Sequence, residues 1–323
     1  MSYNKIFSPK MVEKSEAATD GVGDQREGSV YVYTDDIILA VNVALATRRP
    51  LLVRGQSGGG KSSLARNVAN VLNYRYYETV ISSRTQARDL QWEVDLLRRL
   101  HDAQIRAKDF SSDMKRYVTP GPLWWAFDRN SAIALVGSDA EPGNPQKHAN
   151  AERAVVLLDE IDKADPDVPN NLLVPLGSLQ FTVEETLQEV KTTKERAPLV
   201  FITTNDEREL PAAFLRRCVE VKLPDADDKR LVEIGKAHFP ELKTQLLKRV
   251  AGHMGQTVLA PGATAATTTM PSPAEYLDTL RACDTLKITP KSPNWKNVVQ
   301  MTLWKHGRSA PKDEEEDGDA AAE

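Results

Sequence analysis

The stretch Gly55-Gln56-Ser57-Gly58-Gly59-Gly60-Lys61-Ser62-Ser63 constrains this chain more than any other. It fits the pattern G-x-x-x-x-G-K-[ST], in which backbone N–H groups curl around a phosphate. Glycines permit that curl and leave no side chain in the anion's path. Lys61 supplies a point charge for the β- and γ-phosphates, and the Ser62 hydroxyl is a ligand for Mg²⁺. The flanks agree with the motif. Leu51-Leu52-Val53 reads as a short buried strand entering the loop, and Ser63 to Leu72 carries apolar residues at helical spacing beyond it. An ordinary glycine-rich turn needs neither. Strand, loop and helix N-terminus together predict a seat for a nucleoside triphosphate.

Two further segments belong to the same chemistry. Ala154-Val155-Val156-Leu157-Leu158-Asp159-Glu160 is an apolar run ending in two carboxylates, as a strand buried on both faces would be. In open α/β sheets ligands bind at the carboxyl ends of strands. Asp159 is therefore expected to hold the Mg²⁺ water shell, and Glu160 to take a proton from attacking water. Pro198 to Asn205 is a second such strand with a polar tip, placing Asn205 beside the γ-phosphate. Standing alone, Asn205 would be a turn residue. Leu215-Arg216-Arg217-Cys218 presents adjacent arginines on a predicted following helix, where most arginine pairs are simply solvated.

Elsewhere the reading is mainly structural. Residues 1–28 lack periodicity and are expected to be weakly ordered. Asp36 to Ala46 reads as a buried helix with an acidic first turn, ended by Arg48-Arg49-Pro50. Tyr31 to Tyr33 before it are either core residues or neighbours of the nucleotide base. Tyr76 to Ser82 reads as a strand, and helices are expected from Gln86 and over Val94 to Leu100. The tandem Trp124-Trp125 after Pro120-Gly121-Pro122 is favoured as core over a partner surface. Residues 137–153 read as a surface loop, and 180–191 as a hairpin. Asp227 to Phe239, Pro273 to Leu286 and Trp295 to His306 read as helices, with a flexible Ala/Thr-rich connector over 262–269.

Charge and cysteine content bound the rest. Net charge is −4, but Lys312 to Glu323 alone carries −6, leaving about +2 for the other 311 residues. That balance neither calls for nucleic acid nor excludes it. Cys218 and Cys283 cannot make a disulfide framework and read as small buried residues. No apolar run reaches the ~20 residues of a membrane span, and no signal peptide is legible. The expected location is cytoplasmic. The histidines have no metal-ligand spacing with the cysteines, so zinc is not expected.

Taken together these segments resemble an AAA+ ATPase, nearest the MoxR and dynein-related (AAA_5) group, over roughly residues 31–290. The phosphate loop is similar to Walker A, and Leu157-Leu158-Asp159-Glu160 to Walker B. Asn205 falls at sensor 1, and Glu209 to Cys218 resembles the arginine-finger segment. Gly121-Pro122-Leu123 resembles the element after the MoxR helix-2 insert, and Phe181 to Lys191 the pre-sensor-1 hairpin. The resemblance implies an α/β P-loop NTPase sandwich with a parallel sheet (31–222), a small helical lid (223–310) and an acidic tail (311–323). It implies ATP and Mg²⁺, a hexameric ring in which Arg217 or Arg216 reaches a neighbour's ATP, and remodelling of a protein partner. A von Willebrand A domain partner would be a separate chain, since no D-x-S-x-S motif occurs here. The lid helix starting Ser272-Pro273-Ala274-Glu275 departs from the pattern, having no arginine at its start. Arg281 lies about two turns further in. The competing readings are an NTP-driven motor subunit of a restriction or phage-defence system, and a small-molecule kinase sharing only the phosphate loop.

Overall fold

The computed structural model describes residues 3–14, 29–104, 114–142, 151–255, 258–259, 271–304 and 308–309. The expected connector at 262–269 and the acidic tail lie outside the described residues. Contacts divide the chain into two compact units. One holds residues 1–29, 33–55 and 61–223; the other holds 30–32, 56–60 and 224–323.

The first unit is built on helix α1 (Asp35–Thr47), strand β1 (Leu51–Arg54), helix α2 (Lys61–Leu72), strands β2 (Arg75–Val80) and β3 (Ala154–Asp159), helix α3 (Asp167–Ser178), strand β4 (Leu199–Thr204), the single turn α4 (Ala212–Leu215) and strand β5 (Val219–Lys222). The five strands form one parallel sheet in the order β5-β1-β4-β3-β2. β4 is central; β1 beside it is fully buried at Leu51, Leu52 and Val53, and β3 and β4 are buried almost throughout. This is the continuous apolar patterning of strands covered on both faces. Because all five run one way, the loops after β1, β3 and β4 emerge side by side at one edge. The α/β expectation holds.

Several local expectations are met, and several are corrected. Thr34 caps α1, whose first turn carries Asp35 and Asp36. Trp124 and Trp125 are fully buried, so they are core and not a partner surface. Strands Gln180–Val183 and Gln188–Lys191 pair as the hairpin. The helix expected from Gln86 does not form. Asp89 accepts a hydrogen bond from Gln86 N (2.8 Å), closing a turn, and the chain enters a short strand, Trp92–Val94. That strand pairs antiparallel with Val118–Pro120, so Val94 is strand and the helix begins at Leu96 and runs to Gln104. The segment 137–153 is not all surface: Glu141 is buried, held by Arg129 Nη2 (2.7 Å) and the Tyr77 hydroxyl (2.7 Å). Near the N-terminus Phe7 is also buried, with Ile6 N and Phe7 N both donating to Asn42 Oδ1. Cys283 is buried, but Cys218 is only half-buried.

The second unit packs helices α5 (Asp228–His238), α6 (Thr244–Gly255), α7 (Pro273–Thr285) and α8 (Trp295–Thr302) around Leu231, Leu247, Tyr276, Leu280 and Val299. α8 stops at Thr302, four residues short of the expectation. Gly235 lets α5 and its neighbours close up, because a Cβ there would sit 2.6 Å from the Tyr276 hydroxyl. α7 starts where the sequence places it. Ser272 Oγ accepts from Glu275 N while the Glu275 carboxylate accepts from Ser272 N, a capping box.

Candidate functional site

The site is assembled at the carboxyl edge of the sheet. β1 runs into Gly55, and the loop that follows needs its glycines. Gly55, Gly58 and Gly60 have φ of +152°, +73° and +90°. Values of that kind strain any side-chain-bearing residue. Gln56 O accepts from Gly59 N (3.2 Å), tightening the turn, while Gln56 and Ser57 are exposed. Gly58 O accepts from Ala274 N at the start of α7 (3.2 Å). The chain then enters α2, with Lys61, Ser62 and Ser63 in its first turn.

Five of the expected residues are brought together there. Lys61 is buried, and its Nζ donates to Gly55 O (2.8 Å) and to Asn205 Oδ1 (2.7 Å). Burial lowers its pKa, against the opposing pull of Asp159 and Asp162. Ser62 Oγ donates to Asp159 Oδ2 (2.8 Å). Glu160 sits next to Asp159 in a left-handed conformation, φ +62°. Asn205 Nδ2 lies 3.5 Å from Glu160 Oε1, so this one amide touches both the lysine and the glutamate.

Other functional side chains were not singled out in the sequence. Thr203 Oγ1 donates to Asp159 Oδ1 and accepts from Glu160 N (2.9 Å), holding the Asp159 carboxylate and the Glu160 backbone from the neighbouring strand. Asp162 Oδ2 accepts from Asn205 N and Glu207 N, each at 3.1 Å, and so shapes the loop that carries Asn205. Arg54 pairs with Asp206 and with Glu220 (3.0 Å) across β1. Lys163 Nζ lies 2.8 Å from Glu160 Oε2. A signal existed for two of them, since Asp162 and Lys163 come within three residues after the carboxylate pair. Thr203 needed the register of β4 on β3.

The donor set suits Mg²⁺ with a triphosphate. One hydroxyl and one carboxylate, both hard oxygens, lie 2.8 Å apart, matching an ion that keeps most of its own waters. Among the described residues no group of three or more His, Cys, Asp or Glu could hold a metal by itself. An ion here would therefore share ligands with the nucleotide.

Arg216 and Arg217 are not part of this cluster. They follow the single turn α4 instead of lying on a longer helix, and both are exposed. Val219 N donates to Pro50 O (2.8 Å), so the arginines stand at the amino edge of the parallel sheet, opposite Lys61. Arg217 lines a cavity of about 370 Å³ there with Arg48, Arg49, Lys194, Phe214 and Cys218, and no carboxylate contributes to its wall. Burial pushes the Cys218 thiol up to about 12 and that of Cys283 up to about 11, so neither is a thiolate nucleophile.

A glycine-bent loop on β1, paired carboxylates on β3 and an amide on β4 define an α/β nucleoside-triphosphatase arrangement. The chain belongs to the AAA domain family, dynein-related subfamily, whose profile matches residues 50–218, just over half of its length. It is thus an AAA+ ATPase in the general sense. No curated protein matches it in sequence. Among solved structures it is similar to a variant of Thermotoga maritima RuvB at 13% identity and TM-score 0.46, covering 82% of this chain and 68% of that one. A second RuvB variant gives 13% and 0.45, covering 83% and 67%. The Thermotoga maritima RuvB Holliday junction branch migration motor gives 15% and 0.44, covering 82% and 66%.

Proposed function

We propose that this protein hydrolyses ATP with Mg²⁺ and works as a hexameric ring that remodels a protein partner, in the manner of MoxR proteins. The carrying observation is the Asn205 amide, which bonds Lys61 at 2.7 Å and faces Glu160 at 3.5 Å. Charge recognition and water activation meet at that side chain. On binding, Lys61 exchanges Gly55 O and Asn205 Oδ1 for phosphate oxygens. Asn205 is then free to hold the attacking water, and Glu160 to accept its proton. Ser62 and Asp159 would hold Mg²⁺, which supplies charge neutralisation at the β- and γ-phosphates. The finger role of Arg217, or of Arg216, is supported by position. At the opposite edge of the sheet neither serves its own subunit's loop, whereas the carboxylate-free cavity around Arg217 suits an anion presented by a neighbour.

The MoxR reading draws on the helix Leu96–Gln104 inserted between strands Trp92–Val94 and Val118–Pro120, and on the hairpin before β4. Gly121 is forced by packing, since a Cβ there would lie 2.6 Å from Asp89 O. A separate von Willebrand A domain protein is the expected partner, in the cytoplasm. Among the described residues no helix is long and apolar enough to cross a membrane.

Steady-state hydrolysis and nucleotide binding test this together. Lys61→Ala should lose binding, and Glu160→Gln should keep binding while turnover falls by roughly 10² or more. Arg217→Ala should cost on the order of 10³ in turnover with affinity retained. Stimulation by DNA, or a preference for GTP, would favour a nucleic-acid motor instead. Full turnover in Glu160→Gln would overturn the assignment.

A further inference from the structure

The loop after β4 carries Asn205, and the ladder of the sheet does not set its shape. Asp206 has a left-handed backbone, φ +58°. That conformation is uncommon for any residue but glycine, and surrounding contacts must keep it. Some of them act on the backbone. Asp162 Oδ2 accepts from Asn205 N and Glu207 N, and Thr204 Oγ1 accepts from Asp206 N (3.0 Å). A further contact is made by the Asp206 carboxylate itself, which accepts from Arg54 at the end of β1. The hydrolysis proposed above assigns Arg54 no step.

Arg54 is braced from the other side. Its Nε donates to Glu220 Oε2 (3.0 Å) while Nη1 donates to Asp206 Oδ1. Glu220 belongs to β5, whose residues Val219–Lys222 pair in parallel with Leu51–Arg54 of β1. The guanidinium is a rigid planar fork, so aiming Nε at a strand residue also fixes where Nη1 points. One side chain thus ties the residue after Asn205 to two paired strands.

We infer that Arg54, braced by Glu220, is a positioning residue: through Asp206 it holds the loop that presents the Asn205 amide to the attacking water. The inference rests on the role proposed for Asn205. Its size follows from exposure. The side chains of Arg54, Asp206 and Glu220 are 24%, 44% and 41% exposed. Partly solvated ion pairs are weak, so the effect is a few-fold change in turnover.

The test is a small set of full-length variants assayed for turnover and, separately, for Mg·ATP affinity. Arg54→Met and Asp206→Asn should each lower kcat about three- to five-fold. The double variant should be no slower than the slower single. Asp206 also acts electrostatically on Lys61, and the two substitutions change the charge there in opposite directions. A plain charge effect on the phosphates would therefore move the two variants oppositely. The decisive comparison is made in Asn205→Ala, where kcat should already be down at least about ten-fold. Adding Arg54→Met there should cost nothing more, whereas a loss from general destabilisation would persist. Thermal melts confirm that each variant folds. Unchanged or opposite kcat effects in the single variants, or an Arg54→Met loss that persists in Asn205→Ala, would overturn the inference. Those results would leave the ATPase assignment standing. Full turnover in Asn205→Ala would overturn the role proposed for Asn205 and this inference with it.

Discussion

Thr203 carries more of the site than its small side chain suggests. Its hydroxyl holds the Asp159 carboxylate and also receives the Glu160 N–H, so one atom ties that carboxylate to the backbone of the next residue. Thr203→Val keeps the shape and removes the oxygen, leaving a buried N–H and a carboxylate oxygen short of partners. The expected cost is about 1–3 kcal/mol in stability, read by denaturant unfolding, with turnover falling further than nucleotide affinity. Glu141 makes a separate prediction. Burial works against its ionised form, but Arg129 and the Tyr77 hydroxyl outweigh that and lower its pKa. A carboxylate lowered in the folded state contributes stability above its ordinary pKa, and that contribution is lost as pH falls through the lowered value. Glu141→Gln should therefore destabilise the protein at neutral pH and flatten the loss of Tm on acidification below about 4.5, the ordinary carboxylate value. At this scale the sequence showed the residues that form a pattern: Gly55, Gly60, Lys61, Ser62 and the Asp159-Glu160 pair. It did not show Thr203, because its role depends on which strand lies beside which.

Elements were legible where one physical signal dominated. The buried runs of β1, β3 and β4 have no polar face to confuse their period, and the capping box of α7 is a purely local pattern. The stretch from Gln86 failed because helical spacing there competes with a local bond, Asp89 to Gln86 N, and with antiparallel pairing at Trp92 that only the distant Val118–Pro120 reveals. The cap itself is testable. Ser272→Ala removes one acceptor from the first turn of α7 and should cost about 1 kcal/mol, measured by thermal or denaturant melting. Gly58 is a harsher site. A Cβ there would lie 2.5 Å from Ser272 Oγ on a backbone with φ +73°. Gly58→Ala should thus distort the loop and weaken nucleotide binding sharply, as titration with a fluorescent ATP analogue would report.

For the whole molecule, the two ends of the β-sheet divide the chemistry. The carboxyl edge holds Lys61, Ser62, Asp159, Glu160 and Asn205, and the amino edge holds Arg216 and Arg217. On the proposed function, a chain arranged this way would complete an ATP site through a second copy of itself. The most direct test is the native mass of Glu160→Gln by light scattering, with and without Mg·ATP. A ring joined through Arg217 requires a rise from one subunit to about six on adding Mg·ATP, and loss of that rise in Glu160→Gln/Arg217→Ala. A mass that stays at one subunit while ATP is bound would contradict it, leaving Arg216 and Arg217 as surface charges.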